Sequence, residues 1–165
     1  MDRPTVGSGR RIGWLASLGI AGAAMAAAML LMFWTRNAFQ IRTLPERVME
    51  WVLLFVSPDT LEAGISQFGF QAKVYALYVA VAGMAVILLV VGTLLLARVS
   101  SPWAIWAVGP LLYLAAMGAI MPITGGSLFG LELFQDRWLV NACYLAIALT
   151  YALSLIHISE PTRPY

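Results

Sequence analysis

Four stretches of this chain are apolar almost without interruption: Ile12 to Trp34, Val74 to Ala97, Trp103 to Ile123 and Trp138 to Ala152. The first three reach or exceed the roughly 20 residues that an α-helix needs to cross a bilayer core of about 30 Å. The pattern therefore predicts three complete transmembrane helices. The fourth, "WLVNACYLAIALTYA", is short for a span and predicts a truncated crossing. Lys73 and Arg98 bracket the second span. Trp103 and Trp106 open the third, where indole rings suit the membrane interface, while Pro110 kinks it and Pro122 helps to end it. Asn141, near the start of the fourth, either hydrogen-bonds a neighbouring helix or faces water at the membrane surface.

Between the first two spans the hydrophobic pattern becomes helical and one-sided. Thr43 followed by Glu46 forms a capping-box pair, and Pro45 is tolerated in a first helical turn, so a short helix is expected over residues 44–56. Leu44, Val48, Trp51, Val52 and Phe55 share one face of it, with Glu46, Arg47 and Glu50 on the other. Ser57-Pro58-Asp59 repeats the start signal, Leu61, Ile65 and Phe68 carry an apolar stripe, and Gly69 is placed to stop a second helix over 58–68. Such a pair is an amphipathic hairpin suited to lie in the membrane interface, with Trp51 and Phe55 toward headgroups or neighbouring helices.

The first span follows Arg10 and Arg11 and continues through "MLLMFW" past any small-residue cleavage site, which makes it a retained anchor rather than a signal peptide. The arginine pair is not a convincing twin-arginine export signal. Eight glycines and alanines crowd this span between Gly19 and Ala28. Small side chains let helices approach closely in lipid, although they also serve as plain apolar filler. Arg3, Arg10, Arg11 and Arg98 favour a cytoplasmic N-terminal tail (residues 1–11), against the competing cations Arg36, Arg42, Arg47 and Lys73 of the first connection.

Composition agrees with a membrane protein: 61% of the residues are hydrophobic and 11% charged, against about 45–50% and 25% in soluble domains. A net charge of +2 with scattered arginines leaves no footprint for nucleic acid. The single cysteine, Cys143, excludes an internal disulfide and a cysteine-based metal site within the chain, and reads as packing in an apolar helix. His157 is the single histidine, which excludes bis-histidine haem within the chain, and it lies in the C-terminal segment set aside below, without which the usual general base is also missing. Within the complete spans the polar side chains are sparse (Ser17, Tyr75, Tyr78, Thr93, Tyr113), and every acid lies outside them. "ITGGSLFGLELFQDR", Ile123 to Arg137, lacks the lysine and spacing of a phosphate loop and reads as a turn leading to a short interfacial segment. No catalytic, cofactor-binding or metal-ligating residue is assigned.

The last residues, "LSLIHISEPTRPY" from Leu153 to Tyr165, differ in character from what precedes them. Leu153 to Arg163 is similar, without a mismatch over eleven residues, to the translated adapter of a transposon-based sequencing library. This resemblance implies an artefactual tail over 153–165, a membrane domain over 12–152, and a chain that is a fragment.

"RTLPERVMEWVLLFVSPDTLEAGISQFGFQAKVYALYVAV", Arg42 to Val81, resembles the N-terminal membrane region of bacterial molybdopterin-dependent oxidoreductases related to sulfite oxidase. The resemblance covers about a quarter of the chain directly. It implies a helical pair of this kind, several membrane helices in the bacterial cytoplasmic membrane, and then a soluble domain that carries the molybdopterin cofactor. None of that domain is present. A cysteine of the soluble domain binds molybdenum in that family, and Cys143, in a membrane helix, does not match it. The expectation is thus an all-α polytopic membrane helix bundle that anchors and docks a catalytic domain and is inactive alone. Its partners would be the lipid bilayer, neighbouring membrane helices and the missing C-terminal domain. The alternative is a small transporter or channel subunit of unknown substrate.

Overall fold

The computed structural model describes residues 13–98, 102–131 and 136–159. The arginines of the N-terminal tail, residues 99–101, residues 132–135 and the end of the chain from 160 lie outside them. Among the described residues the fold is all-α, with no strand, and it contains four helices long and apolar enough to cross a membrane.

The first, α1 (Trp14–Phe39), has 26 residues and is rich in alanine, the best helix former. It ends where Gln40 takes a left-handed conformation, φ 55°, and turns the chain back on itself. Ile41, buried at this turn, leads into α2 (Leu44–Leu53). The capping box forms as its residue types require: Thr43 Oγ1 accepts from Glu46 N–H at 3.4 Å, and Glu46 Oε2 accepts from Thr43 N–H at 2.8 Å.

This helix stops at Leu53, three residues short of the expected Val56. Proline disfavours helical backbone in the residue before it, and Ser57 is extended, with φ −63° and ψ 148°, because it caps the next helix. Residues 54–56 therefore tighten into turns bonded to carbonyls three residues back. The second short helix, α3 (Pro58–Phe68), has Ser57 as cap, Pro58 in its first turn and Gly69 (φ 61°) at its end. A 3₁₀ turn, Gly69–Gln71, feeds α4 (Ala72–Arg98), a 27-residue span.

The third span is less regular than its sequence suggests. α5 (Pro102–Leu114) contains Pro110, then widens into a π-helical turn over Ala115–Ile120 and closes with the single turn α6 (Met121–Ile123). Nothing in the apolar run "AAMGAI" announces the π turn. A left-handed corner at Gly125 (φ 78°) and a 3₁₀ turn, Leu128–Gly130, return the chain toward α7.

The fourth span, α7, runs Arg137–Ser159, 23 residues, and so continues beyond the apolar stretch that ends at Ala152 into residues 153–159 of the segment that resembles a translated adapter. Leu155 is fully buried. The reason is simple: "LSLI" extends the apolar run without a helix breaker, and Leu155 falls on the face that already carries Tyr144, Ala148 and Tyr151.

The long helices lie in the order α4, α1, α7, α5, with α7 packed on both α1 and α5, while α4 and α5 are not packed together. The row is therefore curved and open on one side. Ala21, Ala24 and Ala28 are the buried face of α1, so three of its small residues serve close packing while Ala23 and Ala26 face outward. They meet Leu88 and Leu96 of α4 and Tyr151, Ala152 and Leu155 of α7. A second cluster, including Met117, Met121, Val140 and Cys143, closes the end of the bundle beneath α2.

Gly92 marks the tightest point. A Cβ built there would stand 2.5 Å from Tyr151 Oη and 3.0 Å from Ala21 Cβ, so any larger residue must displace the Tyr151 phenol from its bond to Leu88 O or push the helices apart. Gly92→Val is expected to lower stability by about 1–3 kcal/mol, the usual cost of overpacking. Thermal unfolding in detergent checks this; an unshifted transition would mean that the three helices do not converge at residue 92.

Candidate functional site

The open side of the helix row holds a cavity of about 520 Å³, within the range of about 300–1,000 Å³ typical of ligand pockets. Its back wall is Ala28 and Met32 of α1 with Tyr144, Ile147 and Tyr151 of α7. Its sides are Ala80, Gly83 and Ile87 of α4 and, opposite them, Leu112, Ala116 and Ile120 of α5 and the π turn. Leu44, Pro45 and Val48 of α2 form the roof.

The lining is apolar apart from two phenols, and both are committed to backbone oxygens. Tyr151 Oη donates to Leu88 O at 2.5 Å, and Tyr144 Oη donates to Arg42 O at 2.8 Å. The first bond ties α7 to α4 within the membrane; the second ties α7 to the residues that enter α2. Sequence reasoning named neither tyrosine. A usable signal was present, since Asn141, Tyr144, Ala148, Tyr151 and Leu155 recur at helical spacing on one face of α7.

Asn141 is resolved in favour of a helix partner. Its Oδ1 accepts from Tyr113 Oη at 2.6 Å, and its Nδ2 donates to Phe129 O at 2.9 Å and to Arg137 O at 2.7 Å. One amide thereby joins α5, the returning turn and α7. The other polar residues noted in the spans do not line the cavity: Thr93 bonds Leu89 O at 2.7 Å, Tyr75 packs on Phe68, Tyr78 is exposed, and Ser17 is buried with its hydroxyl unpaired. Cys143 is buried in the second core cluster. Among the described residues no three His, Cys, Asp or Glu side chains converge on one point.

A second pocket, about 460 Å³, lies against the opposite face of α2, where α1 ends and α4 begins. Arg36, Arg42 and Lys73 supply cations and Glu46 and Glu50 carboxylates. Arg36 Nε reaches Glu46 Oε1 at 2.7 Å, Arg42 Nη1 reaches Glu50 Oε2 at 2.8 Å, and Lys73 Nζ stands 3.9 Å from Glu50 Oε1. The expected polar face of α2 thus meets the ends of the neighbouring spans rather than open water. Arg47 departs further from expectation: it is 7% exposed, beside Tyr144 and the backbone at Gly126, and its Nε has no partner. Helical spacing points it away from the apolar face, but the turn at 125–126 folds over that side and encloses it.

Burial alone would raise the Glu46 carboxyl pKa; hydrogen bonds from Arg36 and from the backbone and hydroxyl of Thr43 outweigh it and hold the group below its ordinary value. No protein-family model, curated protein or solved structure matches this chain.

Two outcomes follow. Because the folded pKa of Glu46 is depressed, its contribution to stability is fully present above the ordinary value of 4.5 and is lost as pH falls through the lower, folded value. Glu46→Gln should flatten the acid side of a stability-against-pH curve in detergent, and an unaltered acid limb would contradict the pairing. Asn141→Leu leaves Tyr113 and the Phe129 carbonyl without their partner and should cost about 1–3 kcal/mol, read by chemical unfolding; a neutral result would show that the amide does not join the three elements.

Proposed function

We propose that this chain is the membrane-anchoring and docking domain of a molybdopterin-dependent oxidoreductase of the bacterial cytoplasmic membrane. The observation that carries this reading is the platform at one end of the bundle. The segment that bears the family resemblance forms a pair of N-capped helices, α2 and α3, of which α2 is tied to α1 by Arg36–Glu46 and its entry to α7 by the bond from Tyr144 to Arg42 O. A rigid platform at the interface is what a soluble domain needs in order to be held against a membrane.

The hairpin, the turn at 124–130 and the N-terminus of α7 share that end, and Arg98 lies at the other. With the N-terminus cytoplasmic, as the positive-inside tendency favours, the platform faces the far side of the membrane. The molybdopterin cofactor belongs to a downstream domain, and no residue of this chain is assigned to it. A small transporter or channel subunit is the second reading, favoured by Pro110 inside the third span and the π turn that follows it. Transport of a polar solute requires polar groups along its path, whereas the tyrosine hydroxyls in the cavity are spent on carbonyl oxygens.

Long-read sequencing of the locus past codon 152 tests the anchor reading. A frame that continues into a molybdopterin-binding domain supports it; a frame that continues into further membrane helices overturns it. The platform is tested separately. Leu54 and Phe55 are exposed at the hairpin tip, with Phe55 against Trp51 at 4.8 Å between ring centroids. In a protein with Trp51 as sole tryptophan, Leu54→Asp with Phe55→Asp should reduce quenching by headgroup-brominated lipid; undiminished quenching would show that the tip does not rest on the bilayer.

A further inference from the structure

The apolar cavity and the cationic pocket are stacked along the same two helices. On α1, Ala28 and Met32 line the cavity, and Arg36, one turn further on, lines the pocket. On α4, Met84 and Ala80 line the cavity, and Leu77 and Lys73 line the pocket on the same face. At about 1.5 Å per residue, Lys73 lies roughly 10 Å from Ala80 along the helix axis, toward the membrane surface. Between the two, α2 turns Leu44 and Val48 to the cavity and Glu46 and Glu50 to the pocket.

The contents of each compartment follow from its chemistry. A cavity lined by aliphatic groups, whose only hydroxyls are already bonded, gives water too few partners, and left empty it forfeits the dispersion contacts of its walls. It opens between α4 and α5, which are not packed together, and so toward lipid chains. The pocket sets three cations against two carboxylates, which leaves one positive charge unmatched. Lys73, 3.9 Å from Glu50 and with a side chain 71% exposed, is its most loosely held and most accessible cation.

We propose that the two compartments together hold one anionic phospholipid, with an acyl chain in the cavity and the phosphate at the pocket beside Lys73. The lipid enters sideways from the bilayer, and α2 separates its polar and apolar parts. This inference is independent of which soluble domain follows the membrane region.

Gly83 gives a clean variant. It lines the cavity, and a Cβ built there meets nothing within 4 Å, so the first atom of a new side chain has room and Gly83→Phe is the variant expected to occupy the space, with its melting transition as the check that the helices stay in place. The chain is reconstituted in nanodiscs of phosphatidylcholine and phosphatidylglycerol in equal parts, extracted into mild detergent, and its retained lipid is counted by native mass spectrometry. The expected result is one retained phospholipid per chain, with phosphatidylglycerol favoured about fivefold, the effect of one lysine at an anionic surface. Gly83→Phe loses the lipid while keeping its circular dichroism and melting transition. Lys73→Gln removes the preference for phosphatidylglycerol. Wild-type protein without retained lipid, equal retention of the two lipids by wild type, or retention unchanged in Gly83→Phe each overturns the proposal.

Discussion

The close approach of α7 to α1 and α4 at Gly92 governs this fold. Lipid tails are as apolar as leucine, so the hydrophobic effect gives membrane helices little reason to associate; contact area and hydrogen bonds must do so instead. Here a glycine, the alanine face of α1 and one phenol reaching a backbone oxygen occupy the same few ångströms. The bond from Tyr151 to Leu88 closes the bundle at that level. Beyond it, toward α2, the helices are held apart by the roof instead, and the cavity is the space that remains.

α7 is consequently more than a fourth span. It touches each of the other three spans and the entry of α2 through one face: Asn141 to α5 and the returning turn, Tyr144 to the residues before α2, Tyr151 to α4 and Leu155 to the alanines of α1. Polar side chains on this face do not make a path across the membrane. Each is paired with a nearby carbonyl or amide, which is the arrangement that hydrocarbon demands of buried donors.

Much of this was legible in the chain because the relevant signals are local. Span length depends on an uninterrupted apolar run, and the Thr43–Glu46 and Ser57–Pro58 caps depend on neighbours within one turn. What escaped depends on contacts distant in sequence. Arg47 looks solvated on a helical wheel and is enclosed only because residues 125–126 fold over it. The π turn at Ala115–Ile120 lies in a run of small apolar residues without a distinguishing pattern. The importance of Tyr144 and Tyr151 was hidden by their position in a segment read as cut short, and the helix continues to Ser159 because the apolar run does not break at Ala152. The cavity itself is a gap between helices that fail to meet, which no single helix encodes.

The open side of the row also has a temporal meaning. Helices leave the ribosome in chain order, so α1 and α4 can pair, alanine face to leucine face, as soon as α4 is inserted. α5 comes next and finds no docking surface on α4; its principal partner, α7, has not yet been made. The third span must therefore wait in the bilayer as a lone helix, tethered only by its short connection, until α7 arrives and gathers it in. α7 is thus the helix that converts a helical pair and a stray span into a single body.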